Sequence, residues 1–431
     1  MLYYSLRHQA PPVDFRQATI AGQAPDGGLY FPERIPQFSA RFLRELKTLD
    51  PATVAFEVMR PYVGDTLPEA VLRHICAEAV DFAFPLVEVT ARSSALELFH
   101  GPTLAFKDVG ARFMSRCLGY FSRQGQAKVT VLVATSGDTG GAVASGFLGV
   151  EGVEVIILYP AGKVSSVQEL QLTTLGRNIT ALEVQGTFDD CQRLVKQAFG
   201  DAELGRRYFL TSANSINVAR WLPQQLYYCF AWQQWPHAGP PVFAVPSGNF
   251  GNLCAGLLAY ASGLPAQHFL AACNANDAVP EYLRSGRFLP QEAVATISNA
   301  MDVGNPSNFV RILELFGQEF EAMQRRISGY TVSDTRTAAA IRAVYEQHGY
   351  LLDPHGAVAY EALQQYLAHH PAAHGIFLAT AHPVKFYDVV EPIIGTRVPV
   401  PEALGDLLTR EKQSVVLPAT FAALQQYLLA R

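Results

Sequence analysis

The sequence predicts an α/β protein whose domains are built on parallel β-sheets. From about residue 128 onward, short apolar runs rich in β-branched residues alternate with turn residues and then with segments of helical spacing. Such alternation is typical of parallel strands joined by crossover helices. With 49% hydrophobic and 16% charged residues in a length of 431, the chain is globular and long enough for two or three domains.

Five strand-to-helix units carry this pattern. The predicted strands are residues 129–134, 153–160, 179–184, 241–246 and 375–381, and each precedes a segment with helical spacing. Ligands of parallel sheets bind at the carboxyl ends of strands, where the next helix begins. The polar loops that follow these strands are therefore the candidates for a functional site.

Three regions are predicted along the chain. Residues 1–95 contain a Pro- and Gly-rich turn and short helical patterns without strong strands, so we expect an N-terminal extension. Residues 96–240 form a first α/β domain and residues 241–431 a second. Between about 275 and 350 the second is mostly helical, and the chain contains no internal repeat.

Charge, hydropathy and cysteine usage exclude several classes of protein. The formal charge of -5 without like-charged runs argues against a non-specific nucleic-acid binder. The longest apolar stretches are far shorter than the roughly 20 residues of a membrane span, and the N-terminus lacks a signal-peptide pattern. The six cysteines include no CxxC pair, so we expect reduced core thiols and no metal site. The prediction is a cytoplasmic protein with no nucleic-acid or membrane partner.

Lysine is rare, since only seven of the 33 basic residues are lysine. A lysine in an apolar or Gly-rich setting therefore needs an explanation, and Lys107 and Lys163 are the two such residues. Lys107 ends the segment HGPTLAFK and is flanked by Phe106 and Val109. A lysine desolvated by such neighbours loses its proton more readily and can attack an aldehyde. Taken alone, the segment favours the alternative, an ion pair with Asp108 or a solvent-exposed amine.

Two Gly-rich loops between a buried strand and a helix are predicted to bind anions. The first loop is residues 135–141, TSGDTGG, whose hydroxyls and backbone N–H groups at a predicted helix N-terminus can bind a carboxylate or a phosphate. The alternative is an ordinary capped turn without a ligand. In 246–252, PSGNFGN, two glycines let the backbone wrap a phosphate. The second loop matches neither the GxGxxG nor the GxxxxGK[ST] pattern.

Three further loops place polar side chains at predicted helix starts, and Thr380 lies near the end of a buried strand. The loops are residues 163–166, residues 214–217 with Arg220, and residues 305–308. Each of these features alone is best explained as a helix cap, where Ser, Thr and Asn are favoured.

Together the motifs resemble the long-type threonine synthases, within the fold type II family of pyridoxal-phosphate enzymes. The matching segments cover nearly the whole chain, in the order APDGGLYFP, HGPTLAFKD, ATSGDTGGAVA, PAGKVSSVQELQLTTLG, NSINVARWLPQ, VPSGNFGN, DVGNPSNF, LLDPHGAVAY and LATAHPVKF. The resemblance implies pyridoxal 5'-phosphate as cofactor. It also implies a fold like the tryptophan synthase β subunit, with two open parallel-sheet domains, helices on both faces and an N-terminal extension.

The resemblance implies three sets of cofactor contacts. Lys107 would hold the cofactor covalently and then act as general base and acid. Thr380 would give its hydroxyl to the pyridine nitrogen, which makes the ring a weaker electron sink than a carboxylate partner would. The cofactor phosphate would be held by the backbone N–H groups of the loop Gly248, Asn249, Phe250, Gly251 and Asn252.

The resemblance also implies a substrate, O-phospho-L-homoserine, which would react with water to give threonine and inorganic phosphate without a metal. Its carboxylate would bind at Ser136, Gly137, Asp138 and Thr139, with Asp138 acting from behind the loop because two negative charges repel. Its phosphate would be held by Lys163, Ser165, Asn214, Ser215 and Arg220.

Three alternative functions remain open from the sequence. A threonine synthase-like phospho-lyase would share the motifs but release a 2-oxo acid, ammonia and phosphate. A non-catalytic relative is disfavoured by the intact Lys107, phosphate loop and Thr380. A threonine or serine dehydratase is disfavoured by GKVSSVQELQLTTLG and NSINVAR, because it needs no second anion site. The sequence leaves the oligomeric state open between monomer and homodimer.

Overall fold

The computed structural model describes residues 1–124, 128–135 and 137–431, without the side chain of Ala403. The strands are β1 (Leu2–Ser5), β2 (Val13–Asp14), β3 (Tyr30–Pro32), β4 (Leu86–Thr90), β5 (Ser93–Glu97), β6 (Val129–Ala134), β7 (Val153–Pro160), β8 (Ile179–Gln185), β9 (Phe209–Thr211), β10 (Val242–Pro246), β11 (His268–Cys273), β12 (Ile327–Thr331), β13 (Gly375–Ala379) and β14 (Val415–Pro418).

The α-helices are α1 (Phe15–Ala21), α2 (Ala40–Glu45), α3 (Pro51–Val63), α4 (Glu69–Ala79), α5 (Lys107–Gln124), α6 (Asp138–Phe147), α7 (Ser166–Thr173), α8 (Phe188–Gly200), α9 (Ala202–Arg207), α10 (Val218–Trp221), α11 (Gln225–Gln234), α12 (Gly251–Ala261), α13 (Ala278–Ser285), α14 (Phe309–Leu315), α15 (Phe320–Gln324), α16 (Asp334–His348), α17 (Pro354–His369), α18 (Tyr387–Ile394) and α19 (Phe421–Leu429).

One compact unit consists of Met1, residues 31–106 and residues 221–399. Its sheet has the strand order β12-β11-β10-β13-β5-β4, in which every neighbouring pair is parallel except the antiparallel pair β4 and β5. All residues of β10 and β13 are buried. Strands buried throughout are typical of a parallel sheet covered by helices, and α17 packs against β10, β11 and β13.

The second compact unit consists of residues 2–30, 107–220 and 400–431. Its five-stranded sheet, in the order β14-β8-β7-β6-β9, is parallel throughout. Buried leucines of β6, β7 and β8 pack against buried leucines of α8, α9 and α19, so the C-terminal helix completes this core. The predicted α/β class with two parallel-sheet domains is confirmed. The boundaries at residues 95 and 240 stay a prediction.

The expectation of no strong strands before residue 95 is wrong, because β4 and β5 form one edge of the larger sheet. The sequence of β5, SSALE, has little β-branched character, and its pairing with the buried strand β13 makes it extended. For the same reason β12, ISGYT, was missed inside a region predicted to be mostly helical. Tertiary pairing overrides local propensity at both strands.

All six cysteines are buried and free, which confirms the prediction of core thiols. Burial raises the pKa of the Cys191 thiol to about 12, so that thiol stays protonated at neutral pH. Within the described ranges, no helix is both long and apolar enough to cross a membrane.

Lys412 connects the C-terminal segment of the second unit to its sheet. Its Nζ lies 2.7 Å from a carboxylate oxygen of Glu169 and 2.6 Å from one of Glu183. The Tyr159 hydroxyl lies 3.3 Å from each of these two carboxylates. The hydrogen bond from Lys412 is the largest factor that lowers the pKa of Glu183. A carboxyl whose folded pKa is lowered stabilises the fold above its unfolded pKa, and this contribution disappears as the pH falls.

Replacing Lys412 with Met is therefore expected to lower the free energy of unfolding at pH 7 by at most about 1 kcal/mol, since the cluster is partly exposed. The difference from wild type should shrink as the pH falls from 5 toward 3 and the carboxylates become protonated. Urea denaturation at several pH values measures both effects. The control is Lys128→Met, which removes one exposed ion pair with Glu154 and should change little. A difference that grows in acid would contradict the assignment.

Candidate active site

The chain leading to Lys107 is hydrogen-bonded to the residues that follow β13. The N–H of Phe106 donates to the carbonyl of Thr380 at 2.8 Å, and Ala105 forms an antiparallel bridge with Ala381. Thr380 is buried, and it directly follows the last residue of its strand. Lys107 is the next residue along the chain and the first of α5. The sequence thus attaches Lys107 to the carboxyl end of a parallel strand, where ligands of such sheets bind.

Two buried side chains reinforce this segment. The Nζ of Lys385 donates to the carbonyl of Thr103 at 2.8 Å, and the Tyr227 hydroxyl donates to the carbonyl of Phe106. Lys385 is 0% exposed, and it lies in the short 3₁₀ helix Pro383–Phe386 that follows β13. The backbone segment that precedes Lys107 is therefore held by side chains as well as by backbone hydrogen bonds.

The expectation that Lys107 and Lys163 are the two lysines in apolar or Gly-rich settings is wrong, because Lys385 is fully buried. The signal was present in the sequence, since Val384 and Phe386 flank it on both sides. Sequence analysis therefore missed Lys385, and the structure places it in the support of the Lys107 segment.

His382 lies in the same region and is neutral. Burial is the main factor that lowers the pKa of its imidazole to about 4, and the nearby His100 acts in the same direction. Its Nδ1 accepts a hydrogen bond from the N–H of Val384 at 3.1 Å, which requires that nitrogen to be unprotonated. His382 thus caps the 3₁₀ helix that contains Lys385.

The loop before α12 has the features of a backbone anion site. Helix α12 begins at Gly251, and its N-cap residue is Phe250, whose side chain cannot accept hydrogen bonds from the first helical N–H groups. Phe250 has a left-handed φ of 62°, a conformation that costs a non-glycine residue roughly 1–2 kcal/mol. Its ring is buried, edge-on to Phe309 at 6.3 Å. The N-cap residue therefore supplies no cap, and although the Asn252 side-chain oxygen accepts from the Leu253 N–H at 2.9 Å, the helix N-terminus can accommodate an anion.

Close packing explains one of the two glycines in this loop. A Cβ on Gly248 would lie 2.7 Å from the Cα of Met301, so the residue must lack a side chain. Its φ lies outside the left-handed region, which in this loop belongs to Phe250. Sequence analysis attributed the backbone freedom to Gly248 and Gly251, but Gly251 is already helical. The left-handed conformation in this loop therefore belongs to Phe250 and to neither glycine, so the attribution made from the sequence is wrong on this point.

Asn249 is held by the loop before α14. Its side-chain oxygen accepts from the N–H of Ser307 at 2.5 Å, and its carbonyl accepts from the side chain of Asn308 at 3.1 Å. Asn308 occupies the N-cap position of α14 but makes no side-chain capping bond. The helix-cap interpretation of Asn308 is therefore wrong, because its amide supports the phosphate-loop candidate instead.

A buried cation lies behind this support. Arg311 is fully buried, its Nη1 donates to the side chain of Asn308 at 2.7 Å, and its guanidinium lies 4.2 Å from the ring centroid of Trp221. Burial lowers the pKa of Arg311 to about 10, so the group remains charged at neutral pH. A fixed positive charge in this region favours an anion at the loop. Sequence analysis did not identify Arg311.

In the other unit, the loop 135–141 is organised by Thr135. Its hydroxyl oxygen accepts from the N–H groups of Gly137 at 3.0 Å and Gly140 at 2.8 Å. Gly137 has a φ of 139° and is the N-cap residue of α6. Thr139 is half-buried, and the predicted contact Ser136 lies outside the described residues. Gly137 is buried and supplies no cap of its own to this ten-residue helix, and the Thr135 hydroxyl takes the Gly140 N–H in its first turn.

The Asp138 carboxylate is buried and accepts from the amide of Gln168 at 2.9 Å. Gln168 belongs to α7 and also packs closely against Gly137, where an added Cβ would lie 2.4 Å from its side chain. Sequence analysis missed Gln168, whose place in SVQELQ reads as an ordinary helix residue. The role of Asp138 toward a substrate stays a prediction.

Lys163 and Ser165 lie in the turn after β7, at the carboxyl end of the smaller sheet. The Lys163 side chain is exposed. Ser165 is the N-cap of α7, and its hydroxyl accepts from the N–H of Gln168 at 3.3 Å in a reciprocal capping box. The helix-cap alternative for Ser165 is confirmed, and its role toward phosphate stays a prediction.

The remaining predicted phosphate contacts follow β9. The Asn214 amide donates to the carbonyl of Ala134 at 3.4 Å, and Ser215 is half-buried. Arg220 is buried, with its Nη1 donating to the carbonyl of Ala213. A Cβ on Gly110 would lie 2.6 Å from the Arg220 carbonyl and 3.3 Å from its Nε. Arg220 thus packs against α5 at Gly110, which lies three residues after Lys107 in the sequence.

Across the described part of the chain, no group of three or more His, Cys, Asp or Glu side chains is arranged to hold a metal ion. The arrangement instead offers two helix N-termini whose N-cap residues, Gly137 and Phe250, supply no side-chain cap, and a lysine attached to a strand end. These features suit anionic organic ligands and amine chemistry.

Comparison with known proteins agrees with this chemistry. The family of pyridoxal-phosphate dependent enzymes matches residues 95–378, the threonine synthase N terminus matches residues 2–80, and the threonine synthase C-terminal family matches residues 356–428. These matches confirm the predicted fold type II architecture and pyridoxal phosphate as the cofactor.

Individual relatives match over the full length. Threonine synthase from Haemophilus influenzae is 45% identical over all of both chains. The crystal structure of threonine synthase from Escherichia coli is 44% identical over all of both chains, with a TM-score of 0.93. The structure of pyridoxal-phosphate-bound threonine synthase from Brucella melitensis is 37% identical, covers 99% of this chain and 98% of that one, and has a TM-score of 0.93. The chain therefore belongs to the threonine synthase family of pyridoxal-phosphate dependent enzymes.

Proposed function

We propose that this chain converts O-phospho-L-homoserine and water to L-threonine and inorganic phosphate. The observation that supports this most directly is the hydrogen bond from Phe106 to Thr380, which attaches the lysine of the family motif to the end of a buried strand. The full-length relation to threonine synthases supports the reaction. No described feature favours the phospho-lyase alternative.

The cofactor would be held by residues that fit it. The loop 248–252 would bind its phosphate through backbone N–H groups at the start of α12, because Phe250 supplies no cap. The Lys107 amine would hold the aldehyde carbon covalently, and the Thr380 hydroxyl would meet the pyridine nitrogen. When bound, pyridoxal phosphate withdraws electrons from the substrate and so makes loss of a proton from its α-carbon possible.

The substrate would use the anion sites of the second unit. Its carboxylate would bind to Ser136, Gly137 and Thr139, with the Asp138 carboxylate, which accepts from Gln168, acting from behind. Its phosphate would be held by the exposed cation Lys163 and the buried cation Arg220, with Ser165, Asn214 and Ser215 as hydrogen-bonding partners. Charge-assisted hydrogen bonds to phosphate are stronger than neutral ones.

Lys107 would move the protons of the reaction. Its Nζ accepts the proton of the substrate α-carbon and later returns a proton to the carbon skeleton, as general base and then general acid. The group must be neutral for the first step.

A product assay tests the proposed reaction. Purified protein with pyridoxal phosphate and O-phospho-L-homoserine should give threonine and inorganic phosphate in equal amounts, with 2-oxobutyrate as a minor product. Lys107→Ala should lose at least about 100-fold in kcat, because the acid–base group is removed. If 2-oxobutyrate and ammonia dominate instead, the chain is a phospho-lyase.

Chemical labelling tests the identity of the cofactor lysine. Reduction of the cofactor-loaded protein with borohydride, followed by peptide mapping, should place the pyridoxyl group on Lys107. The structure provides an internal control in Lys385, the buried lysine whose Nζ donates to the carbonyl of Thr103. A label on Lys385, on Lys163 or on none of the seven lysines would contradict the assignment.

The substrate-phosphate site is tested with Lys163→Ala. The variant should bind pyridoxal phosphate normally but lose roughly 10- to 150-fold in kcat/KM, the effect of one charge-assisted hydrogen bond worth about 1.5–3 kcal/mol. Competitive inhibition by inorganic phosphate should also weaken. Lys196→Ala is the matched control, because Lys196 is an exposed lysine of α8 in the same unit. Normal turnover by Lys163→Ala would shift the assignment to Arg220 and the 214–217 loop.

A further inference from the structure

A buried Asp–His pair at the start of α17 is not used by the reaction described above. The Nδ1 of His355 lies 2.7 Å from the Asp353 carboxylate, and the two side chains are 4% and 1% exposed. Asp353 is the N-cap of α17 and also accepts from the N–H groups of His355 and Gly356. The carboxylate is therefore fixed by the helix start, and it in turn fixes the imidazole.

The other ring nitrogen of His355 accepts a hydrogen bond. The backbone N–H of Ala300 donates to His355 Nε2 at 3.1 Å. A backbone N–H can only donate, so Nε2 must be unprotonated and the single ring proton must lie on Nδ1, facing Asp353. The pair thus holds a neutral imidazole in one tautomer, aimed at one peptide group.

That peptide group belongs to the 3₁₀ turn Asn299–Met301, which forms a wall of the phosphate loop. An added Cβ on Gly248 would lie 2.7 Å from Met301 Cα and 3.2 Å from the Ala300 carbonyl. Contact this close means that a shift of the turn by a few tenths of an ångström changes the space available to Gly248. The position of Ala300 is therefore coupled to the shape of the loop.

The end of the turn is held independently. The Asp302 carboxylate accepts from the side chains of Asn274 at 2.9 Å, Asn276 at 3.1 Å and Thr296 at 2.7 Å. Burial is the largest factor acting on the pKa of Asp302, and it raises that pKa. This cluster fixes residue 302, whereas the bond from His355 acts on the middle of the turn.

We propose that His355 is a positioning residue for the cofactor-phosphate loop, which it shapes by holding Ala300 and so pressing the 299–301 turn against Gly248. The inference rests on the proposed role of residues 248–252 in binding the cofactor phosphate. It assigns a purpose to the DPHG part of LLDPHGAVAY, a motif without a role in the reaction described above.

Two substitutions separate the two bonds of the imidazole. His355→Gln can place an amide oxygen near the position of Nε2, which keeps the bond from Ala300 and gives up the one to Asp353. His355→Asn can place an amide nitrogen near the position of Nδ1, which keeps the bond to Asp353 and cannot reach Ala300. His355→Phe keeps the ring volume and removes both bonds, and it replaces the Asn variant if that one fails to fold.

Cofactor binding is measured by titrating each apo-protein with pyridoxal phosphate and following the visible absorbance and the ³¹P resonance of the bound phosphate. We expect the Asn and Phe variants to raise the Kd about tenfold, equivalent to ~1.4 kcal/mol, and to shift the ³¹P resonance. The Gln variant should stay within about threefold of wild type. His268→Asn is the control, since it removes another imidazole hydrogen bond, from the half-buried His268 to Ser328, at the amino end of β11.

The outcomes are distinct. Binding by the Asn and Phe variants within about twofold of wild type, or a loss in the Gln variant as large as in the Asn variant, would overturn the inference and leave the proposed function intact. An equal loss in His268→Asn would show general destabilisation and would also overturn it. Failure of the wild-type protein to bind pyridoxal phosphate would overturn the proposed function and this inference together.

Discussion

The pairing of the chain before Lys107 with the chain after β13 is the constraint on which the proposed chemistry depends. A lysine side chain has four rotatable bonds, so its amine is useful only if the backbone that carries it is fixed. Here the Phe106 N–H and the Thr380 carbonyl make that connection, and Lys385 and Tyr227 hold the same segment from the side. Two motifs separated by more than 270 residues thereby become one structural feature.

The candidate anion sites depend on a second constraint, which is that backbone N–H groups at the start of a helix must be available to bind a ligand. At α12 the N-cap is Phe250, and at α6 it is Gly137, neither of which can cap with a side chain. Other helices of the same fold are capped by Asp, Ser or Thr, such as α17 by Asp353 and α7 by Ser165. Helices α4, α11 and α13 also begin without a side-chain cap from the N-cap residue, so the Gly-rich loops before α6 and α12, and not the missing caps alone, single out these two helix starts as candidate anion sites.

The support behind these loops consists of buried polar groups with specific partners. Asn308 and Arg311 back the loop before α12, and Gln168 holds Asp138 behind the loop before α6. A buried polar group must be hydrogen-bonded or it destabilises the fold, so each of these contacts also fixes geometry. The same side chains therefore contribute to stability and to the shape of the sites.

The sequence by itself determined the α/β class, the buried strands and the two Gly-rich loops, because runs of β-branched residues and the spacing of glycines act locally. It also indicated Lys107, through its apolar flanks and its motif. Tertiary structure alone decided the extended conformation of β5, which its own residues do not favour, and the burial of Lys385. It also decided that Asn308 bonds to Asn249 and does not cap its own helix. These features depend on partners far along the chain, and local sequence does not carry the identity of such partners.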